Sequence, residues 1–129
     1  ESTEAARRAW QYLRANGGNR AGMAIAAVDW NGGVHPDQFS LNINLGNIRE
    51  EPFSSIWSDA GHPVLAMLRD RKRHLKGRCR KCVFIDICNG NLRARAEAAT
   101  GDLWGEDPAC YLTDEEIESR MLPFFETMR

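Results

Sequence analysis

The stretch CRKCVFIDIC at residues 79–88 contains three cysteines, and a fourth follows at Cys110. The spacing is Cys-x2-Cys-x5-Cys-x21-Cys, and the chain has no fifth cysteine, so one four-ligand site would use every thiol. Three ligands in a short loop allow the chain to wrap around a compact inorganic centre. The sequence therefore predicts a metal site whose ligands are Cys79, Cys82, Cys88 and Cys110.

The spacing also bears on which centre is bound. Thiolates suit zinc and iron–sulfur clusters alike, because both are soft centres with tetrahedral metal sites. Structural zinc sites more often use two Cys-x2-Cys pairs, whereas this chain has one pair and a third cysteine after five intervening residues. The pattern favours one 4Fe-4S cluster. It leaves open a structural zinc ion, which would make the chain an interaction module without redox chemistry, and two disulfides.

Charge is unevenly distributed around the cysteines. A four-thiolate cluster is an anion, and nearby cations stabilise it and raise its reduction potential. A solvated basic face, a docking patch for another domain, and pairing with the acidic stretch that flanks Cys110 are the other interpretations. The basic residues are Arg69, Arg71, Lys72, Arg73, Lys76, Arg78, Arg80 and Lys81; the acidic ones are Asp102, Glu106, Asp107, Asp114, Glu115, Glu116 and Glu118.

Length and composition set the broad class of the protein. A chain of 129 residues suits one small domain, and a formal net charge of −1 gives no reason to propose a nucleic acid partner. No segment approaches the roughly 20 apolar residues of a membrane helix, and the first residues do not form a signal peptide, which predicts a cytoplasmic protein. The chain opens without Met into a helical pattern, which suggests a piece of a longer protein.

Residue patterns predict an α+β fold in which a small β-hairpin is followed by short helices. The hairpin is expected from strands at 23–28 and 34–39, with Pro36 indicating an edge position. Residues 77–91 have neither helical nor strand periodicity, which predicts an irregular loop. Helices are predicted at 3–15, around 53–57, at 63–68, at 91–99 with Asn89 or Asn91 near its N-cap and Gly101 at its C-terminal stop, and from Thr113 with a capping box to Glu116.

These motifs together resemble a known family. The cysteine spacing, preceded by a hairpin and the segment Leu45-Gly46-Asn47-Ile48, resembles the SPASM domain, the C-terminal auxiliary-cluster module of many radical SAM enzymes. That family's full pattern has two clusters, and the resemblance assigns the second one's ligands to the four cysteines here. The positions of the first cluster's cysteines hold Asp37, Glu51 and Leu92. The resemblance implies that one cluster is kept and one lost.

A narrower resemblance covers residues 34–117. The segments NGNLRARAE at 89–97, TGDLW at 100–104 and EDPACYL at 106–112 are similar to the NirJ family of radical SAM enzymes, which act in haem d1 biosynthesis. The resemblance implies a sirohaem-derived tetrapyrrole substrate that loses propionate side chains. It also implies an electron-relay or supporting role for the cluster.

The radical-generating loop of this superfamily, Cys-x3-Cys-x2-Cys, does not occur in the sequence. SAM and a second 4Fe-4S cluster are therefore expected on a radical SAM catalytic barrel, in the same parent chain or in a separate polypeptide. On this reading residues 1–18 form a helix that links to the catalytic domain, and residues 19–129 form the SPASM-like domain.

Other residue types have plainer interpretations. His35 is a candidate axial ligand to a tetrapyrrole iron, but a surface or hydrogen-bonding role is the stronger expectation for it. Trp10 and Trp57, at helical spacings, are predicted core residues rather than walls of a macrocycle pocket. Asp107, which precedes Pro108, is expected to shape the turn that delivers Cys110.

Overall fold

The computed structural model describes residues 2–59 and 61–118. Its contacts divide the chain into two compact units, called here the cysteine unit (residues 1–19 and 75–129) and the sheet unit (residues 20–74). Short helices combine with a small antiparallel sheet, so the predicted α+β class is confirmed. Within the described residues, no helix has both the length and the apolar character that crossing a membrane requires.

The sheet unit contains three short antiparallel strands in the order β1-β2-β3. They are β1 (Ala27–Val28), β2 (Gly33–His35) and β3 (Gly46–Asn47). The predicted hairpin is confirmed as the β1–β2 pair, with Val28 opposite Val34, although both strands are shorter than expected. Residues 23–25 do not extend β1, because their amides turn back and donate to the carbonyl of Arg20.

The edge position inferred from Pro36 is wrong. β2 lies between β1 and β3, so it is the central strand. Pro36 follows the last residue of β2, where its missing N–H costs no ladder hydrogen bond, and its carbonyl accepts from Gly22 N at 3.0 Å. The third strand, which has only two residues, gave no periodic signal.

Two helices complete the sheet unit, α2 (Phe53–Trp57) and α3 (Pro63–Arg69), followed by a 3-10 turn at Arg71–Arg73. Both helices were predicted, and Pro63 occupies the first turn of α3, where no intrahelical N–H is needed. Trp57 packs against the core, stacks on Phe53 and lies under the guanidinium of Arg69, so its predicted core role holds in part. The core itself consists of Val34, Leu45, Ile56 and Leu65.

The cysteine unit is built from short helical segments. They are α1 (Ser2–Asn16), a 3-10 helix (Gly77–Lys81), α4 (Ile85–Cys88), α5 (Arg93–Thr100) and α6 (Asp114–Ile117). The predicted irregular loop at 77–91 is therefore wrong in part, since it contains two single helical turns. α5 ends at Gly101, whose φ of 77° is the left-handed conformation expected of a C-terminal stop.

The helix caps of this unit show which local signals were sufficient. The capping box is confirmed, with Thr113 accepting from Glu116 N at 3.2 Å and Glu116 accepting from Thr113 N at 2.8 Å. Asn91, predicted near the N-cap of α5, directly precedes Leu92, which occupies that position. The Leu92 amide donates to the carboxylate of Asp107 at 3.0 Å, which ties the start of the helix to a residue 15 positions later in sequence.

Helix α1 packs against α4 within the cysteine unit. Trp10 is 8% exposed, as predicted for a core residue. The chain leaves α1 through Gly17, and the Asn19 amide then donates to the carbonyl of Cys88 at 3.2 Å. The Asn89 side chain returns a bond to the Asn19 carbonyl at 2.7 Å. These bonds hold the end of α1 beside one of the four cysteines.

Candidate metal centre

All four cysteines line one cavity in the cysteine unit. Cys79 lies in the 3-10 helix, Cys82 follows that helix, Cys88 ends α4 and Cys110 lies between α5 and α6. The cavity and the open solvent at its mouth together contain about 410 Å³ of empty space. None of the four thiols forms a disulfide. Its other walls are Arg78, Ile85, Gly90, Asn91, Glu106, Asp107, Leu112 and Ile117.

Tight local winding sets the positions of the first three thiols. The Cys82 amide donates to the Cys79 carbonyl at 3.3 Å, and the Ile85 amide donates to the Cys82 carbonyl at 3.3 Å. These successive turns bring the first three cysteines to the wall of the same cavity. Between them, the amide of Val83 donates to the carbonyl of Ile117 at 3.1 Å, which fixes the segment to α6.

The turn after Cys88 has an uncommon backbone. Asn89, Gly90 and Asn91 have φ angles of 60°, 83° and 57°, so three consecutive residues are left-handed. Asn and Gly are the residues that enter this region most readily. A side chain on Gly90 would also approach Leu75 within 2.8 Å. The turn thus carries Cys88 out of α4 and places Gly90 and Asn91 in the cavity wall.

Asp107 organises the turn that delivers Cys110, as the sequence predicted. Its side chain is 2% exposed and forms a two-pronged pair with Arg95, at 2.7 Å to Nε and 2.8 Å to Nη2. It also accepts from Ala109 N at 2.9 Å, and its carbonyl accepts from Cys110 N at 3.0 Å. Burial raises the pKa of Asp107, but the Arg95 pair and the backbone donors outweigh this and hold it below its ordinary value.

Arg93, the first residue of α5, is a buried cation beside the cysteines. It is 1% exposed, and its guanidinium donates to the carbonyls of Leu103 at 3.0 Å, Gly105 at 2.7 Å and Gly90. Its Nε is buried without a hydrogen-bond partner. Sequence reasoning gave Arg93 no role. Its position three residues before buried Ala96 on α5 was a signal that it faces inwards.

The basic and acidic stretches pair with each other, which was one of the predicted interpretations. Lys76 meets Asp102 at 2.5 Å, and Lys81 meets Glu118 at 2.5 Å. Arg78, which lines the cavity, reaches Asp114 at 3.2 Å, while its amide donates to Glu106 at 2.8 Å. These contacts fasten the first two cysteines to the chain on either side of Cys110.

Two of the thiols have perturbed acidity. Burial raises the pKa of Cys79 most strongly, Arg93 opposes the rise, and the other three cysteines add to it. Burial likewise raises the pKa of Cys82, against the amide of Phe84. Neutral thiols are therefore favoured without a metal centre, and a bound cationic core would replace their protons.

These residues fit an iron–sulfur cluster. Four sulfur donors surround one cavity, and a buried arginine with an unpaired Nε lies near them. Among residues 2–59 and 61–118, no three His, Cys, Asp or Glu side chains form a group that could hold a metal ion. A 4Fe-4S cluster does not require several side chains around one metal ion, because each of its irons takes a single thiolate from the protein.

His35, the candidate axial ligand to a tetrapyrrole iron, is hydrogen-bonded within the sheet unit. His35 is buried in the sheet unit, where Nε2 lies 2.7 Å from Asp29 Oδ2 and Nδ1 lies 2.6 Å from the Ile43 carbonyl. Both ring nitrogens thus lie within hydrogen-bond distance of an oxygen of the chain, so neither faces a space that a haem iron could occupy. His62 caps α3, and Asp37 caps its own turn by accepting from the amides of Phe39 and Ser40. The hydrogen-bonding interpretation of His35 is confirmed.

Comparison with known proteins identifies the family. Residues 20–83 match SPASM, an iron–sulfur cluster-binding domain. The chain carries a SPASM domain, and the predicted recognition is confirmed. The matched segment includes Cys79 and Cys82 and ends before Cys88 and Cys110. No solved structure matches the chain significantly.

Relatives extend the similarity beyond that segment. The Fe-coproporphyrin III synthase of Methanosarcina barkeri is 48% identical over 120 residues, which cover 91% of this chain and 30% of the relative. The pre-heme d1 synthase of Dinoroseobacter shibae is 47% identical, covering 82% and 26%. The AdoMet-dependent heme synthase of M. barkeri is 49% identical, covering 54% and 19%. The chain thus spans less than a third of the length of these curated relatives.

Proposed function

We propose that this chain is the auxiliary-cluster domain of a radical SAM enzyme of tetrapyrrole biosynthesis, and that Cys79, Cys82, Cys88 and Cys110 bind one 4Fe-4S cluster. The observation that carries the proposal is the convergence of every cysteine in the chain on one cavity. In this proposal the SPASM-like domain extends over residues 19–129, and residues 1–18 form the helix that leads to the catalytic domain.

The residues of the cysteine unit then have separate tasks. The four thiolates hold the cluster, the left-handed turn after Cys88 shapes one wall, and Asp107 with Arg95 holds the turn of Cys110. A cluster bound in this way accepts and donates single electrons. Four thiolate ligands leave no iron open to a substrate, which supports electron relay or support of the substrate site over direct substrate binding.

The partner follows from the sequence and from the relatives. Cleavage of SAM requires a three-cysteine loop that this chain lacks, so we propose that it serves a radical SAM catalytic barrel in the same parent chain or a separate polypeptide. The names of three relatives all refer to haem or haem-related synthesis. We propose a sirohaem-derived tetrapyrrole of the haem d1 route as the substrate of the complete enzyme.

Metal content tests the ligand set. The chain, reconstituted anaerobically with iron and sulfide, is expected to hold about four irons and four sulfides and to absorb broadly near 400 nm. Cys110→Ala is expected to leave a labile site with less iron, because one iron loses its protein ligand. The control Tyr111→Phe changes the adjacent residue, which is 91% exposed, and is expected to keep the full content.

Two results would contradict the proposal. A colourless protein that binds one zinc per chain with higher affinity than iron would favour the structural zinc module. Unchanged iron content and spectrum in Cys110→Ala would contradict the assignment of Cys110 as a ligand.

A further inference from the structure

Arg93 carries a buried charge that is not paired with a carboxylate at ion-pair distance in the described residues. Its three hydrogen-bond acceptors are the backbone carbonyls of Gly90, Leu103 and Gly105, and it forms no ion pair with any Asp or Glu among residues 2–59 and 61–118. An arginine side chain stays protonated in proteins, so the charge persists when it is buried. A buried charge without a countercharge is strongly unfavourable.

The cysteines are candidates for a countercharge to Arg93. Arg93 Nε lies 3.2 Å from the point that a Cβ on Gly90 would occupy, and Gly90 lines the cysteine cavity. Burial lowers the pKa of Arg93, and the charge of Cys79 counteracts this most, followed by those of Asp107, Cys88 and Asp102. The lack of a side chain on Gly90 lets the Arg93 Nε approach the backbone of a residue that lines the cavity.

We propose that Arg93 is the fixed countercharge of the cluster, a positioning residue that stabilises its reduced form and so raises its reduction potential. This inference rests on the proposed function. Reduction adds one negative charge to a centre that is already an anion, and a buried cation stabilises the more negative state further. The ion pairs of Lys76, Arg78 and Lys81 differ from Arg93, because each of these cations has its own carboxylate.

The test separates the charge of Arg93 from its hydrogen bonds. The reconstituted chain is titrated electrochemically as wild type, Arg93→Gln, Arg93→Lys and Arg80→Gln. Glutamine removes the charge and keeps a donor, whereas lysine keeps the charge and loses the planar fork. Arg80 is an exposed cation in the same cysteine segment, so Arg80→Gln removes a charge that water screens.

We expect the potential to fall in Arg93→Gln by several times the shift seen in Arg80→Gln, and to stay near the wild-type value in Arg93→Lys. A shift in Arg93→Gln no larger than that in Arg80→Gln would overturn the proposal. If Arg93→Gln binds no cluster while Arg93→Lys does, charge is required for assembly, which supports it. If neither variant assembles a cluster, the hydrogen bonds of Arg93 are its role and the proposal fails.

A wild-type chain that takes up no iron would refute the proposed function itself. That result appears before any Arg93 variant is compared, so the two failures are distinguishable.

Discussion

Different interactions stabilise the interiors of the sheet unit and the cysteine unit. The sheet unit surrounds a small apolar core, in which Val34, Ile56 and Leu65 are at most 1% exposed. The part of the cysteine unit around its thiols has a cavity where a core would be, and its walls are tied by backbone bonds and charged pairs. Burial of apolar side chains stabilises without any bound group, whereas a cavity of thiols acquires its main contacts only when it is filled.

Removal of iron is expected to have the most extensive effect and to be confined to one unit. After chelation, amides of residues 77–88 and 107–112 are expected to exchange with solvent at least about 100-fold faster, equivalent to about 2.7 kcal/mol of lost ligand stabilisation. Amides of the sheet unit are expected to keep their protection, because no residue lining the cavity belongs to it. Hydrogen exchange with mass spectrometry measures both. An equal loss of amide protection in the two units would contradict the view that only the cysteine unit depends on a bound group.

Asp107→Ala is expected to be the most damaging single substitution in the cysteine unit. It strands Arg95 and the amides of Leu92 and Ala109. We expect a loss of about 2–4 kcal/mol in unfolding free energy, somewhat less than for a fully buried pair because the Arg95 side chain is 42% exposed. Denaturant titration measures it, with Asp114→Ala as the control for an exposed pair, expected to cost less than about 1 kcal/mol. A similar cost for both would show that burial of Asp107 is unimportant.

Leu65→Ala tests the other side of the comparison. Leu65 is fully buried in the core of the sheet unit, so its truncation is expected to cost about 2–3 kcal/mol through lost transfer energy and a residual cavity. Iron content is expected to remain at the wild-type level. A variant that folds but loses its iron would show that the apolar core also supports the cysteine cavity.

Acid is expected to have the smallest effect, through Asp29. The hydrogen bond to His35 holds the pKa of Asp29 below its ordinary value of 3.8. Its stabilisation is therefore complete above the ordinary value and is lost as pH falls through the lowered folded value. The sheet unit of Asp29→Asn is expected to lose less stability than wild type over that window in acid denaturation. Glu50→Gln, which alters an exposed carboxylate, is expected to follow wild type.

Local sequence patterns were sufficient to predict the structure wherever residues close in sequence determine it. The capping box at Thr113, the stop at Gly101 and the helix after Pro63 all depend on residues within a few positions of each other. Cysteine spacing likewise predicted a shared site, because the stoichiometry of four thiols leaves few arrangements. These features were predicted from the sequence alone.

Contacts between residues distant in sequence account for most features that the sequence did not predict. The N-cap residue of α5, Leu92, donates its amide to Asp107, which follows it by 15 residues, and the short strand β3 exists only because it pairs with β2. The two single turns of helix at 77–91 are too short to produce periodicity. The proposed role of Arg93 depends on its burial without an ion pair in the described residues, which no spacing in the sequence encodes.

The left-handed turn after Cys88 has a consequence for assembly. Because Asn89, Gly90 and Asn91 tolerate positive φ, the turn draws its shape from its own residues rather than from whatever it encloses. The conformational entropy of that segment is therefore lost on folding, independently of any bound group. In the proposed cluster domain, iron would meet a partly formed site at Cys88, and the remaining ligands would close around it.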